Sequence, residues 1–130
     1  MKKLIVLVML LFSFFSSISQ VRLQYTAEEI KSEFKGIFEV NEDYLDDGTY
    51  YITVWTAKSA VIHLFMNKSD QANRCVVIPY TKADLNYYVE QYNRKYVIVS
   101  DTQWKMYTEN GLCNIWLDFE GEMGAKFIWE

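Results

Sequence analysis

Apolar residues recur at helical spacing in a short segment near the start of the chain, after Thr26. Ile30 and Phe34 lie on one side of this segment, and charged side chains occupy the other. Glu29 stands three residues after Thr26, as in a capping box, in which each side chain bonds the backbone N–H of the other residue. This spacing predicts a short amphipathic helix that ends near Gly36.

A second segment with helical spacing follows Thr81, and here Asp84 is the acidic residue three positions on. Its apolar stripe consists of Leu85, Tyr88, Val89 and Tyr92. Tyr87 falls outside the stripe, so we expect it to point away from the core. The helix is predicted to end near residues 94–95, whose positive charges suit a helix C-terminus.

Elsewhere the apolar period is two, which is typical of strands with one buried face. Segments rich in aromatic and β-branched residues are 38–40 with 44–45, 49–56, 60–67, 74–78, 96–99 with 103–107, 112–119 and 125–129. Asp46-Asp47-Gly48 and Asn110-Gly111 are typical hairpin turns. Strands joined by such short turns are antiparallel, because a parallel pair needs a long crossover.

These elements predict one α+β domain. We expect an antiparallel, meander-like sheet of five to seven strands with two helices packed on one face, in the order α-β-β-β-α-β-β-β. Residues 25–30 (YTAEEI) resemble residues 80–85 (YTKADL), and each predicted helix precedes a hairpin turn and a Trp-bearing strand. This similarity indicates either an internal duplication or the common form of capping boxes.

The chain begins with the pattern of an export signal. Lys2 and Lys3 precede an apolar run over residues 4–15, and Ser17 and Ser19 offer a small-x-small cleavage site before Gln20. The pattern predicts a cleavable signal peptide at 1–19 and a single globular domain at 20–130, soluble and periplasmic or secreted. No second long apolar run follows the signal, so we expect no membrane span after cleavage.

Charge and motifs exclude several function classes. The net charge is −4, which disfavours nucleic acid as a partner, because that binding depends on Lys and Arg at the phosphates. His63 is the single histidine, and it has no ligand or nucleophile at a typical spacing. No zinc, EF-hand, phosphate-loop or hydrolase motif is found in the sequence, so we expect no metal, no cofactor and no enzymatic activity.

The two cysteines, Cys75 and Cys113, leave two interpretations open. Export to an oxidising compartment would permit one disulfide between them. Alternatively, both are small buried apolar side chains.

The aromatic residues are the unusual feature, with 4 Trp, 10 Tyr and 8 Phe in the whole chain. Alternation along the strands places Tyr51 and Trp55 on one side of their strand, opposite Ile52 and Val54. Trp116 likewise lies opposite Ile115 on its own strand. These three aromatic side chains either form an exposed binding surface or pack against neighbours within the sheet.

The sequence therefore favours an exported, non-enzymatic interaction module whose partner is a protein or an envelope component. The alternative is a small-molecule or glycan-binding module that uses the same aromatic face. The identity of the partner, the strand order and the oligomeric state are left open.

Overall fold

The computed structural model describes residues 21–108, 111–122 and 124–130. The predicted signal peptide at 1–19 lies outside these residues. In the part of the chain that is described, no helix is both long and apolar enough to cross a membrane.

The described residues form two helices and eight strands. Helix α1 (Ala27–Phe34) is followed by β1 (Glu39–Tyr44), β2 (Tyr50–Trp55), β3 (Ser59–Phe65) and β4 (Arg74–Pro79). Helix α2 (Lys82–Lys95) is followed by β5 (Val97–Ser100), β6 (Gln103–Thr108), β7 (Gly111–Asp118) and β8 (Lys126–Trp129). A 3₁₀ turn at Met66–Lys68 links β3 to β4.

Both helices begin at the predicted caps. The Thr26 hydroxyl accepts a hydrogen bond from the Glu29 N–H at 3.3 Å, and the Glu29 carboxylate accepts one from the Thr26 N–H at 3.1 Å. The Thr81 hydroxyl accepts from the Asp84 N–H at 3.1 Å. These bonds satisfy backbone donors that a helix leaves free in its first turn.

All eight strands form one antiparallel sheet in the order β1-β2-β3-β4-β8-β7-β6-β5. The α+β class and the antiparallel sheet are confirmed, but the expected count of five to seven strands is too low. Each helix is followed by four strands instead of three. The predicted order counted segments 96–99 and 103–107 as one strand, because only Asp101 and Thr102 lie between β5 and β6, with no glycine or proline to mark the turn.

The element order consists of two successive α-β-β-β-β units. Each unit is a helix followed by a four-stranded meander, and β4 meets β8 where the two meanders join. Strands β1 and β5 therefore occupy equivalent positions at the two edges of the sheet. This architecture supports an internal duplication over a chance similarity of caps.

The hydrophobic core lies between the helices and one face of the sheet. Tyr92 of α2 makes edge-to-face contacts with Trp104, Phe127 and Trp129, at centroid distances of 5.6, 4.8 and 5.4 Å. In α1, the Phe34 ring lies 6.5 Å from the His63 ring of β3. Both helices thus contact the same sheet face, which we call the covered face.

Tyr87 differs from its predicted outward position. It is half-buried and packs against the core edge, with its ring 5.7 Å from that of Tyr88. The Lys58 ammonium lies 4.6 Å above the Tyr87 ring, within the range of a cation–π contact.

Candidate functional site

Strand register assigns each side chain to one of the two sheet faces. Ile52 pairs with His63, His63 with Cys75, and Cys75 with Trp129, and all four are buried on the covered face. The side chains of the next residue along each strand point to the opposite side of the sheet. We call that opposite side the open face.

The three aromatic residues singled out from the sequence all lie on the open face. Tyr51 and Trp55 flank Thr53 on β2, and Trp116 lies on β7. They are not neighbours, because β3, β4 and β8 lie between β2 and β7. The face assignment therefore follows the predicted alternation, but the three side chains do not form a compact cluster by themselves.

Aliphatic residues fill the space between them. Thr53 pairs with Ile62, Ile62 with Val76, Val76 with Ile128, and Ile128 with Trp116. Thr53, Ala60 and Leu64 share this face but are buried, with exposed fractions of 6%, 6% and 9%. The half-buried and exposed residues of the face form a set that we call the open-face cluster: Tyr51, Trp55, Ile62, Val76, Ile78, Trp116 and Ile128. Sequence reasoning missed the aliphatic members because the pairing of β4 with β8 joins segments distant in the chain.

The open-face cluster is only partly shielded from solvent. The exposed fraction of Trp55 is 43%, and Ile62, Val76, Trp116 and Ile128 are half-buried. By contrast, Ile115 and Trp129, their neighbours on the covered face, have exposed fractions of 0% and 1%. An extended apolar surface that no helix of the described chain covers is typical of an interaction site.

Polar groups around the cluster are already paired with one another. The Trp55 indole N–H donates to Asn41 Oδ1 at 2.7 Å. Arg74 Nη2 lies 2.6 Å from Glu130 Oε2, and Lys126 Nζ lies 3.4 Å from Asp118 Oδ2. The Glu120 backbone N–H, and then the Lys126 ammonium, lower the pKa of the Asp118 carboxyl.

An open hollow of about 420 Å³ lies at one end of the cluster. Its lining residues are Arg74, Trp116, Leu117, Asp118, Ile128 and Glu130. Because its charged residues form the ion pairs described above, they do not converge on the space inside it.

A larger groove of about 760 Å³ lies on the helix side, between residues 21–25 and the β6–β7 hairpin. Its wall includes Met106, Leu112 and Cys113, and its charged residues Arg22 and Glu33 form an ion pair at 2.7 Å. Glu29 and Glu130 also line the groove. Glu29 caps helix α1 and Glu130 pairs with Arg74, so both carboxylates already have partners.

His63 is buried on the covered face of the sheet. Its exposed fraction is 0%, and its Nε2 accepts a hydrogen bond from the Arg22 backbone N–H at 3.2 Å. Within the described ranges, no group of three or more His, Cys, Asp or Glu side chains is placed to hold a metal ion.

The candidate disulfide between Cys75 and Cys113 is not formed, and both cysteines are buried free thiols. Cys75 lies on β4 and Cys113 on β7, with β8 between them. Two strand spacings amount to roughly 9.6 Å, whereas the Cα atoms of a disulfide lie within about 7 Å of each other. Burial raises the pKa of the Cys75 thiol strongly and that of the Cys113 thiol to about 11.

No protein-family profile matches this chain, and no curated protein or solved structure matches it with significance.

Proposed function

We propose that this protein is a non-enzymatic, exported interaction module that binds a protein partner through the open face of its sheet. The observation that carries the proposal is the open-face cluster, in which apolar side chains continue across four adjacent strands, β3, β4, β8 and β7. Burial of such a surface in a complex is favourable, because apolar area is removed from water.

The composition of the cluster favours a protein over a small ligand. Tryptophan and tyrosine are enriched where protein interfaces concentrate their binding energy, and Trp55, Trp116 and Tyr51 lie at separate points of this face. A broad surface with several separate aromatic side chains suits a protein partner that contacts all of them at once.

A glycan or small-molecule site is the weaker alternative. Such sites combine a concave pocket with polar groups that point to the ligand. Here the hollow beside Trp116 is open, and Arg74 and Glu130 bond each other. A ligand would have to break that ion pair to use either charge.

The export pattern at residues 1–19 supports a partner outside the cytoplasm, in the envelope or the surrounding medium. The acidic net charge of −4 supports a partner other than nucleic acid.

Affinity capture with matched variants tests the proposal. The mature domain is immobilised and exposed to envelope and secreted fractions, in parallel with Trp116→Ala, Trp55→Ala and Tyr44→Ala variants. Tyr44 is the control, because it is an aromatic residue with an exposed fraction of 66% that pairs with Tyr50 on the covered face.

We expect one protein to be captured by the wild type and by Tyr44→Ala, and to be reduced tenfold or more with Trp116→Ala. Equal capture by all the variants would overturn the assignment to the open face.

A further inference from the structure

The two edge strands of the sheet occupy equivalent positions in the two units, but one is acidic and the other is apolar. Edge strand β1 carries Glu39, Glu42 and Asp43. Edge strand β5 has the sequence VIVS and no charged residue. Its three apolar side chains are all exposed, with fractions of 51% for Val97, 56% for Ile98 and 47% for Val99.

An edge strand presents backbone N–H and C=O groups on its outer side that can pair with another strand. Soluble proteins commonly block such edges with charged side chains. The acidic residues of β1 block that edge in this way, since two copies of β1 would repel each other. Strand β5 has no comparable charged block.

Charges flank β5 in a self-complementary arrangement. Lys95 precedes the strand and Asp101 follows it. Both are exposed, and neither forms an ion pair with any residue in the described ranges. Lys95 is the last residue of α2 and Asp101 lies in the turn after β5. Because antiparallel strands run in opposite directions, pairing of two β5 strands about Ile98 would bring the Lys95 end of one copy near the Asp101 end of the other, twice per dimer.

We propose that β5 is a self-association edge, through which two copies of this chain pair antiparallel about a two-fold axis near Ile98. The two eight-stranded sheets then continue into each other. Parallel pairing is disfavoured, because it would place Lys95 beside Lys95 and Asp101 beside Asp101. Antiparallel pairing gives hydrogen-bond partners to the outer backbone groups of β5 and removes its apolar side chains from water. It also brings each flanking charge near an opposite charge.

The paired segment is short. The register between β5 and β6 shifts between Ile98 and Ser100, so a bulge at Val99 limits the regular edge. The interface is therefore small, and the dimer is expected to be weak and dependent on concentration.

Sedimentation of the mature domain over a range of concentrations tests this self-association. We expect the weight-average mass to rise from monomer to dimer. Ile98→Lys places two like charges at the two-fold axis and should abolish the rise. Ile37→Lys is the matched control, because Ile37 has an exposed fraction of 71% and lies outside β5.

Charge reversal gives a second test that does not depend on the apolar contacts. Lys95→Asp and Asp101→Lys should each weaken self-association, because each creates two repulsive pairs. Mixing these two variants should restore it, since every pair across the mixed dimer is again opposite in sign.

Three results would overturn the proposal. They are a monomer at every concentration, an equal loss in the Ile98→Lys and Ile37→Lys variants, and a mixture of the two charge variants that associates no better than either alone. Capture of a partner through the open face is a separate measurement, so failure of one proposal does not imply failure of the other.

Discussion

Trp116 and Ile128 stand opposite each other across β7 and β8 on the open face of the sheet. One residue along each strand, Ile115 and Trp129 pair on the covered face and are fully buried. The same two strands therefore contribute to the core on one side and to the proposed binding surface on the other. This arrangement allows stability and binding to be changed separately.

Tryptophan truncation should separate the two faces by stability. Trp129→Ala removes a side chain with an exposed fraction of 1% and should lower the free energy of unfolding by about 3–5 kcal/mol. Trp55→Ala removes a 43% exposed side chain and should cost about 1 kcal/mol or less. Trp116 is half-buried, so the stability loss in Trp116→Ala should lie between these two values. Urea unfolding measures all three, and equal losses would show that the open face is packed like the core.

Substitutions at two positions on α2 should both lower stability, although the apolar stripe alone would predict a loss only at Tyr92. Tyr92→Ala removes the ring that contacts Trp104, Phe127 and Trp129, and should destabilise the domain by about 3–5 kcal/mol. Tyr87→Ser should cost about 1 kcal/mol, because it removes a half-buried ring and its cation–π contact with Lys58.

Asn86→Ser is the control on α2, because Asn86 is exposed and adjacent to Tyr87. Thermal melts of the three variants should give the order Tyr92→Ala, Tyr87→Ser, Asn86→Ser, from least to most stable. A Tyr87→Ser variant as stable as the Asn86→Ser control would mean that the Tyr87 contacts contribute nothing.

Local structure could be read from the sequence, because local residues determine it. The Thr26 and Thr81 caps and the Asp46-Asp47-Gly48 turn each depend on side chains a few positions apart, and Gly48 has the positive φ, 90°, that this turn requires. Alternation along β2 and β7 likewise placed Trp55 and Trp116 on the correct sides of their strands.

Long-range pairing could not be read in the same way. No turn links β4 to β8, so neither their adjacency nor their register has a local signal. The positions of Val76 and Ile128 in the open-face cluster depend on that pairing. The separation of Cys75 from Cys113 by β8 depends on it too.

Stability should fall in alkaline solution. Burial raises the pKa of the Cys113 thiol from 9.0 to about 11, and burial also raises the pKa of Tyr92 well above 10.0. The folded chain thus keeps protons that the unfolded chain releases as pH rises through these ordinary values. The stability that these groups contribute is fully present below about pH 9 and is lost as pH rises above it.

Urea titrations near neutral pH and at about pH 11 measure this loss. Cys113→Ala should reduce the dependence without removing it, because Tyr92 is retained. A free energy of unfolding that stays constant or increases over this range would contradict the burial of these groups.

Export should leave a shortened chain. Lys2, Lys3 and the apolar residues 4–15 predict cleavage after Ser19. Mass spectrometry of the exported protein should find an N-terminus at Gln20 or within a few residues of it. A product that still carries Met1, or one retained in the membrane, would refute the predicted localisation.

The most direct test of the central claim is site-specific photo-cross-linking in the native compartment. A photoreactive amino acid is placed at Trp116 on the open face, and at Tyr44 and Ile37 as exposed positions elsewhere. We predict a cross-linked adduct with one discrete protein from position 116 and none of that species from 44 or 37. An adduct of the same protein from positions 44 or 37 but not from 116, or no adduct from 116, would contradict binding through the open face.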